Sequence, residues 1–541
     1  MNDQDWAIAR VGAHGRRAFS TLVLGCLMLL HGDRLHAEFV PVFDVVQRAG
    51  SNSISDLRLV RAADGRATVV WLHADRVERR VININGSMGS VAQLPTLGFG
   101  SARDPAVTVD LQGRVLVAWE EGGRIVAHRL AANGALTTTF LLSSGNASNA
   151  RNPRVAVDAT GVGAVAWERG SRVEAVRLAV ANAAPLSTAR LLTDAKEDSP
   201  PDIVAGGSGD ATVVWRRAGR IEYRRLQSDG SIGGAALSFD TSPCIIDLPR
   251  FGSHHPLAVG RPWIIARGRS ASGCPGGDAI RSVQAADSPQ FPVVASPNSG
   301  LLDDPDHAVH QDAGSRRWMV WRQDLNLLGH QRMVVQRANL SLQAVSPDGV
   351  GVAQARLAVA ENQSAMAVWR EILAGSPVVR GRRVGFTGDL GPVQTFSTAG
   401  GQSFRPAVAM QPHDRPAIAW LRMFASQEHT LVQATLDVAP PACTTPIART
   451  ILPGGAATVT PESVCQGWLD GPPAVVEFTQ LPEVGHVEVF LGTIIYVADG
   501  SDYHENFRFR VSGPGGQSNE VAVNIEVLDG SFIFLDGFES D

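Results

Sequence analysis

Hydrophobic residues in this chain fall into short runs, and the runs recur. In 153–167 (PRVAVDATGVGAVAW) the first six residues alternate apolar and polar, as a half-buried strand requires. Turn residues follow, and then a continuous apolar run that ends on Trp167. The same fifteen-residue layout, aligned without a gap, covers 57–71, 105–119, 153–167, 201–215, 307–321, 355–369 and 406–420. It ends each time on a tryptophan: Trp71, Trp119, Trp167, Trp215, Trp321, Trp369 and Trp420, the first four of them 48 residues apart. Six residues before the indole stand Gly65, Gly113, Gly161 and Gly209, where a tight turn needs a positive φ that glycine adopts at little cost. Five residues after it, Arg76, Arg124, Arg172 and Arg220 open a third apolar run, as in GRIVAHRL. A fourth, weaker run follows, for example 186–192 (LSTARLL), and no segment has the period of an amphipathic helix.

Four short strands in a unit of 48 residues predict one blade of a β-propeller, and the expected class is all-β. An eighth unit fits at 252–266 (GSHHPLAVGRPWIIA), with Ala266 in the tryptophan position and Gly260 at the turn. The expectation is therefore an eight-bladed propeller of four-stranded blades over 38–438, with seven blades and a spare unit as the alternative. The run 41–50 (PVFDVVQRAG) reads as a fourth strand without a blade of its own, while the last unit stops after its third strand near Val438. Pairing the two would close the ring and leave no open edge.

Residues 1–37 stand apart. Arg10, Arg16 and Arg17 precede an apolar stretch at 18–30 and small or apolar residues at 35–37, the layout of a secretory signal peptide. The apolar stretch is too short to span a bilayer, and no later segment is a transmembrane candidate. Secretion, the periplasm or the cell surface is the expected destination. In an oxidising compartment the four remaining cysteines favour the local disulfides Cys244–Cys274 and Cys443–Cys465. The first bridge would compensate for the missing tryptophan of its blade, at about 2 to 4 kcal/mol. A net charge of −5 over 541 residues offers no basic field for nucleic acid.

The composition changes at a Pro-rich linker, 439–446 (APPACTTP), and beyond it the blade period is lost. Residues 447–528 alternate as in a small β-sandwich. The stretch 492–527 (GTIIYVADGSDYHENFRFRVSGPGGQSNEVAVNIEV) resembles the end of bacterial immunoglobulin-like and cadherin-like modules. The resemblance implies an Ig-like sandwich, and a cadherin-like calcium site would draw on Asp499, Asp502 and Glu505; no metal is expected, because Gly513 stands where such modules commonly carry Asp. The end, 529–541, resembles a short F-x-D-G-F-E tail of exported proteins from some Gram-negative bacteria, and is read either as a sorting signal or as a final packed strand.

The regular recurrence of tryptophan and arginine implies structure: the indoles wedged between blades, the third-strand arginines covering them by cation–π contact. Ligands of propellers commonly sit at the face formed by the loops leading into each innermost strand and those joining strands two and three. Here the first set offers Asp56, Arg103, Asp104, Arg151, Asn152, Asp198, Asp304 and Arg405, and the second Glu120, Glu121, Glu168, Arg169, Arg216, Arg217, Arg322, Arg370 and Glu371. Convergent charge of this kind suits a polar ligand, and arginine suits bidentate contacts. No catalytic motif, metal signature or cofactor loop is present, and VDLQGRVLVAW departs from the spacing of sialidase boxes. Three readings follow. The first is an exported binding or adhesion protein for a glycan or extracellular protein. The second is a polysaccharide hydrolase or lyase at the channel mouth, and the third a structural envelope protein.

Overall fold

The computed structural model describes residues 42–528 with interruptions, the longest at 240–244, 255–261, 270–278, 286–292, 295–301, 310–316, 325–330, 437–441 and 467–474. The leader 1–37, Asp198, Cys244, Cys274, Gly260 and the tail 529–541 lie outside the described residues. Eight antiparallel sheets follow one another along the chain, each with four strands in the order in which they are made. The third is typical: Ala150–Val157, Gly163–Arg169, Arg172–Leu178 and Arg190–Thr193. The sixth sheet carries one extra strand, Ser253–His254, parallel to Leu302–Val309. In the eighth, Gln402–Gln411, Arg415–Phe424 and Gln427–Leu436 are completed by the N-terminal strand Phe43–Ala49, antiparallel to Gln427–Leu436. Each sheet packs on the next and the eighth on the first, so the described sheets form the closed ring of a β-propeller.

The seven repeated tryptophans are fully buried. Six of them lean on the sheet before: Trp167 joins Ala118 and Ala127 of the second sheet, and Trp71 joins Ala417 and Leu421 of the eighth. An indole reaches further than any aliphatic side chain, and one per blade fills the wedge between radial sheets. The fifth blade lacks it. Register puts Ala266 there, between the paired positions Arg267 and Ile265 and opposite the same irregularity of the innermost strand as the indoles. The gap is filled from the fourth blade, where Tyr223 stacks on Phe239 at 5.0 Å and both pack against Ala266. At the position of Tyr223 the second and third blades carry the small Ala127 and Ala175, so the exchange is small for large.

Two expectations are corrected. The tryptophan does not end its strand; in Gly163–Arg169 two residues follow it. Nor do Arg76, Arg124, Arg172 and Arg220 cover the indoles. They open the third strands, but Arg124 lies over Phe99 at 3.9 Å, Arg76 donates to Gln93, and Arg172 and Arg220 are exposed. The indole N–H is held by a carboxylate or amide instead: Trp71 by Glu78 (2.9 Å), Trp167 by Glu174 (3.0 Å), Trp215 by Glu222 (3.0 Å), Trp369 by Glu371 (2.8 Å) and Trp420 by Gln433 (3.2 Å). The acceptor is directly across the hairpin or two residues on in the same strand, places that share a face of the sheet.

A second device staples neighbouring blades. Arg177 is fully buried, pairs with the turn carboxylate Asp158 at 2.6 Å and donates to Gly209 O of the next blade at 2.6 Å. Arg129 does the same with Asp110 and Gly161 O, and Arg61 reaches Pro416 O of the eighth blade. Gly161 is required by its φ of +88°; a Cβ there would also displace the end of the Arg114 side chain.

Residues after the linker form two further sheets with their own core. Ile447–Ile451, Val521–Val527, Tyr503–Gly513 and Val475–Gln480 make one, and Ala456–Val459, Thr493–Val497 and His486–Phe490 the other. Phe507, Phe509 and Tyr496 fill the space between them. The disulfide Cys443–Cys465 ties Ala442–Cys443 to Cys465–Gln466. A single helical turn, Pro461–Val464, is the one helix among the described residues.

Candidate functional site at the mouth of the ring

The residues expected in loops leading into the innermost strands lie inside those strands, in a repeated β-bulge. Register slips between Ser55 and Arg58, Arg103 and Ala106, Arg151 and Arg154, Ala353 and Arg356, and Phe404 and Ala407. Each bulge holds a residue in the left-handed region: Asp56 (φ 49°), Asp104 (49°), Asn152 (53°), Gln354 (57°) and Arg405 (52°). Proline follows at Pro105, Pro153 and Pro406, where the bulge leaves the backbone without a ladder partner, so a missing N–H costs nothing. A non-glycine residue at positive φ costs on the order of 1 kcal/mol or more, and such strain gathers at sites of function.

The bulges place Asp56, Arg103, Asp104, Arg151, Asn152 and Arg405 of the first set at one end of the ring. Arg405 approaches Asp56 at 3.9 Å, and its backbone N–H donates to Gln354 at 2.7 Å. Arg103 and Arg151 are exposed, Asp104 and Asn152 half-buried. Arg151 meets Glu168 at 2.8 Å, and Asn152 donates to the same carboxylate. Asp304 lies in the innermost strand Leu302–Val309 of the sixth blade. Burial, and then the charge of Asp104, push the Glu120 carboxyl above the usual carboxylate range, against the pull of Arg103.

Much of the second set is not available to a ligand. Glu121 accepts the N–H groups of Leu97 and Phe99 (2.9 Å each) and the indole of Trp119. Glu168 is buried under Arg151 and Lys196, and Glu371 holds Trp369 and Arg380. Arg216 pairs with Glu197 at 2.7 Å. These charges are spent within the scaffold.

Sequence reading missed the residues two positions beyond the bulge. Arg58, Arg154 and Arg356 adopt one conformation in three blades, Nη1 donating to the carbonyl of the preceding residue: Leu57 (3.0 Å), Pro153 (2.9 Å) and Ala355 (2.6 Å). Arg58 is pulled down to about 10, first by burial and next by the charge of Arg154; Asp56 opposes this, Arg356 adds to it, and Asp104 opposes it. Its own blade is the first, and those of Arg154 and Arg356 are the third and seventh, each two blades away. Charges from blades on both sides therefore act on Arg58. The repeat spacing carried the signal, since Arg58 and Arg154 both stand thirteen residues before a tryptophan, as does Arg356.

Farther along the innermost strands a cavity of about 320 Å³ is lined both by apolar residues such as Leu59, Val107, Val155 and Val408 and by the charged Arg61, Asp110 and Asp202. In the C-terminal unit, Glu505 accepts the N–H groups of Val484 and Asn506, while Asp502 lies outside the described residues. No cluster of metal-ligating side chains occurs among the described residues, and no helix there is long and apolar enough to cross a membrane.

No protein-family model and no curated protein matches the chain. Solved structures resemble it at low identity. The Dos1 propeller matches at 8% identity and a TM-score of 0.43, covering 74% of this chain and 95% of that one. A prolyl endopeptidase structure matches at 11% and 0.40, with 74% of this chain spanning just over half (56%) of its length. A lectin from Aleuria aurantia matches at 10% and 0.31, covering 54% and 95%. At these scores the likenesses carry no argument about function, and the propeller rests on the sheet topology above.

Proposed function

We propose that this chain is an exported binding protein that engages a glycan or an extracellular protein at the bulged end of the ring. The observation that carries this reading is the repeated bulge, which holds Asp56, Asp104, Asn152, Gln354 and Arg405 in the left-handed region at one end of the ring and gives Arg58, Arg154 and Arg356 one conformation. Such charged and amide side chains suit a polar ligand. The C-terminal unit would serve as an Ig-like spacer or second contact. The disulfide Cys443–Cys465 supports an oxidising destination. Screening the purified chain against glycan and envelope-protein panels tests the reading: a ligand lost on substitution at the mouth is expected, and absence of any such ligand contradicts it.

A second reading, polysaccharide cleavage, is favoured by one feature. Glu120 stands beside Asp104 with its carboxyl raised, first by burial and then by that neighbour's charge, and glycoside hydrolysis uses a pair of carboxyl groups. Product analysis on every bound polysaccharide separates the two, since a binder returns its ligand intact.

A further inference from the structure

We infer that the tail 529–541 folds back onto the C-terminal unit of its own chain and pairs with the open edge of the strand His486–Phe490. The inference is independent of what the ring binds.

The edge is open and apolar. His486–Phe490 pairs with Thr493–Val497 on one side and, among the described residues, with no strand on the other. Bare apolar side chains stand on both of its faces. Val489 (43% exposed) shares the face on which Val487 packs against the core, and Phe490 (63% exposed) takes the opposite one. Leu481 (63%) and Val484 (40%), in the segment leading into the strand, are bare as well. An unpaired edge of this kind templates pairing with other chains, and folded proteins cover it.

The tail leaves the unit beside that edge. Val527 stands opposite Tyr503 at the end of the last strand, and Leu528 N–H donates to Ile451 O at 3.0 Å. Tyr503 Oη meets Tyr496 Oη at 3.0 Å, and Tyr496, paired with Val487 in register, donates to Val484 O at 3.0 Å. Two tyrosines thus bridge the point of departure and the beginning of the edge. Thirteen residues reach about 43 Å when extended, against about 17 Å for the five-residue edge. Starting from that end, the added strand runs parallel to His486–Phe490, as Ile447–Ile451 already runs along Val521–Val527.

The tail's sequence matches what the edge lacks. Residues 532–535 read FIFL, so an extended backbone puts Phe532 and Phe534 on one face and Ile533 and Leu535 on the other. Such a strand has no polar face to turn to water and needs apolar neighbours on both sides of the sheet, which Val489 and Phe490 supply. A tethered segment also meets the edge at an effective concentration in the millimolar range, which favours the chain's own tail over a second copy in dilute solution.

Hydrogen exchange read by mass spectrometry on the full chain provides the test, at high and at low protein concentration. The amides of 532–535 are expected to exchange at least about tenfold more slowly than an unstructured peptide at both concentrations. In a chain ending at Leu528, exchange at 486–490 should quicken about tenfold, while the strand Val521–Val527 keeps its protection. The double variant Phe532→Ser/Phe534→Ser, which keeps the tail's length, should do the same and carries this arm if the shortened chain does not fold. Thermal unfolding confirms the fold of each. Unprotected amides at 532–535 overturn the inference, as does exchange at 486–490 that is indifferent to the tail. Protection that appears only at high concentration overturns it in favour of a second copy at the edge.

Discussion

Two sets of arginines recur in this ring, and their surroundings differ. Arg129 and Arg177, near the turns between first and second strands, are fully buried, each closed by an aspartate of its own blade and a carbonyl of the next. Arg58, Arg154 and Arg356, at the bulged end, each donate to the carbonyl of the preceding residue. Burial lowers both Arg129 and Arg58 to about 10. At Arg129 the next influence is the opposing charge of Asp110, and at Arg58 it is the like charge of Arg154. Recurrence alone therefore does not mark a residue as structural. What separates the sets is the charge that acts most strongly on each: an aspartate of its own blade at Arg129, an arginine of another blade at Arg58.

That contrast can be broken by substitution. Removing one partner of a buried ion pair leaves the other charge uncompensated, so Asp158→Ala is expected to cost about 3 to 5 kcal/mol in denaturant unfolding. Arg154→Gln should cost less, because Arg154 is only half-buried. Next in size, Glu174→Ala takes the acceptor from the fully buried Trp167 indole and should cost about 1 to 3 kcal/mol by the same measurement. Glu174→Gln, which keeps an acceptor, should recover most of the loss.

Titration sharpens the contrast further. His128 is fully buried, with Nδ1 donating to Thr139 and Nε2 accepting from Thr137 N–H, and burial followed by the charge of Arg79 lowers it to about 4. A folded-state value below the unfolded one means stability that is complete above about 6.5 and lost as pH falls towards about 4. The loss is on the order of 3 kcal/mol. His128→Gln should flatten unfolding midpoints across that window. The smallest effect is expected at Glu120, whose raised carboxyl acts with opposite sign. Its contribution is full below the ordinary carboxylate range and fades as pH rises through its own value. Glu120→Gln should remove that decline, and a pH series of thermal midpoints checks it.

Much of the propeller was legible because it repeats. The spacing of Trp71, Trp119, Trp167 and Trp215 gave the blade, Gly161 its turn, Arg172 the start of its third strand, and the lone run at 41–50 the strand that completes the last sheet. Even Ala266 was found without an indole to mark it. What escaped depends on neighbours that a linear pattern does not bring together. Tyr223 fills the gap left at Ala266 from another blade, and the indole acceptor alternates between Glu78-like and Glu121-like positions, which share a face only once the strands pair. Asp104 and Asn152 were read as loop residues because a bulge followed by proline resembles a loop in sequence. Arg58, Arg154 and Arg356 were passed over because nothing local distinguishes them from Arg177. Their common conformation appears only once the strand bulges.

The central claim is that the two arginine sets do separate work, and one paired measurement addresses it. Thermal unfolding and binding to a panel of glycans are followed together for the triple variant R58Q/R154Q/R356Q and for R177Q. The triple variant should lose less stability than R177Q and bind no glycan, while R177Q should unfold well below the unaltered chain and, when folded, bind as before. A triple variant that loses stability as R177Q does and still binds would contradict the account.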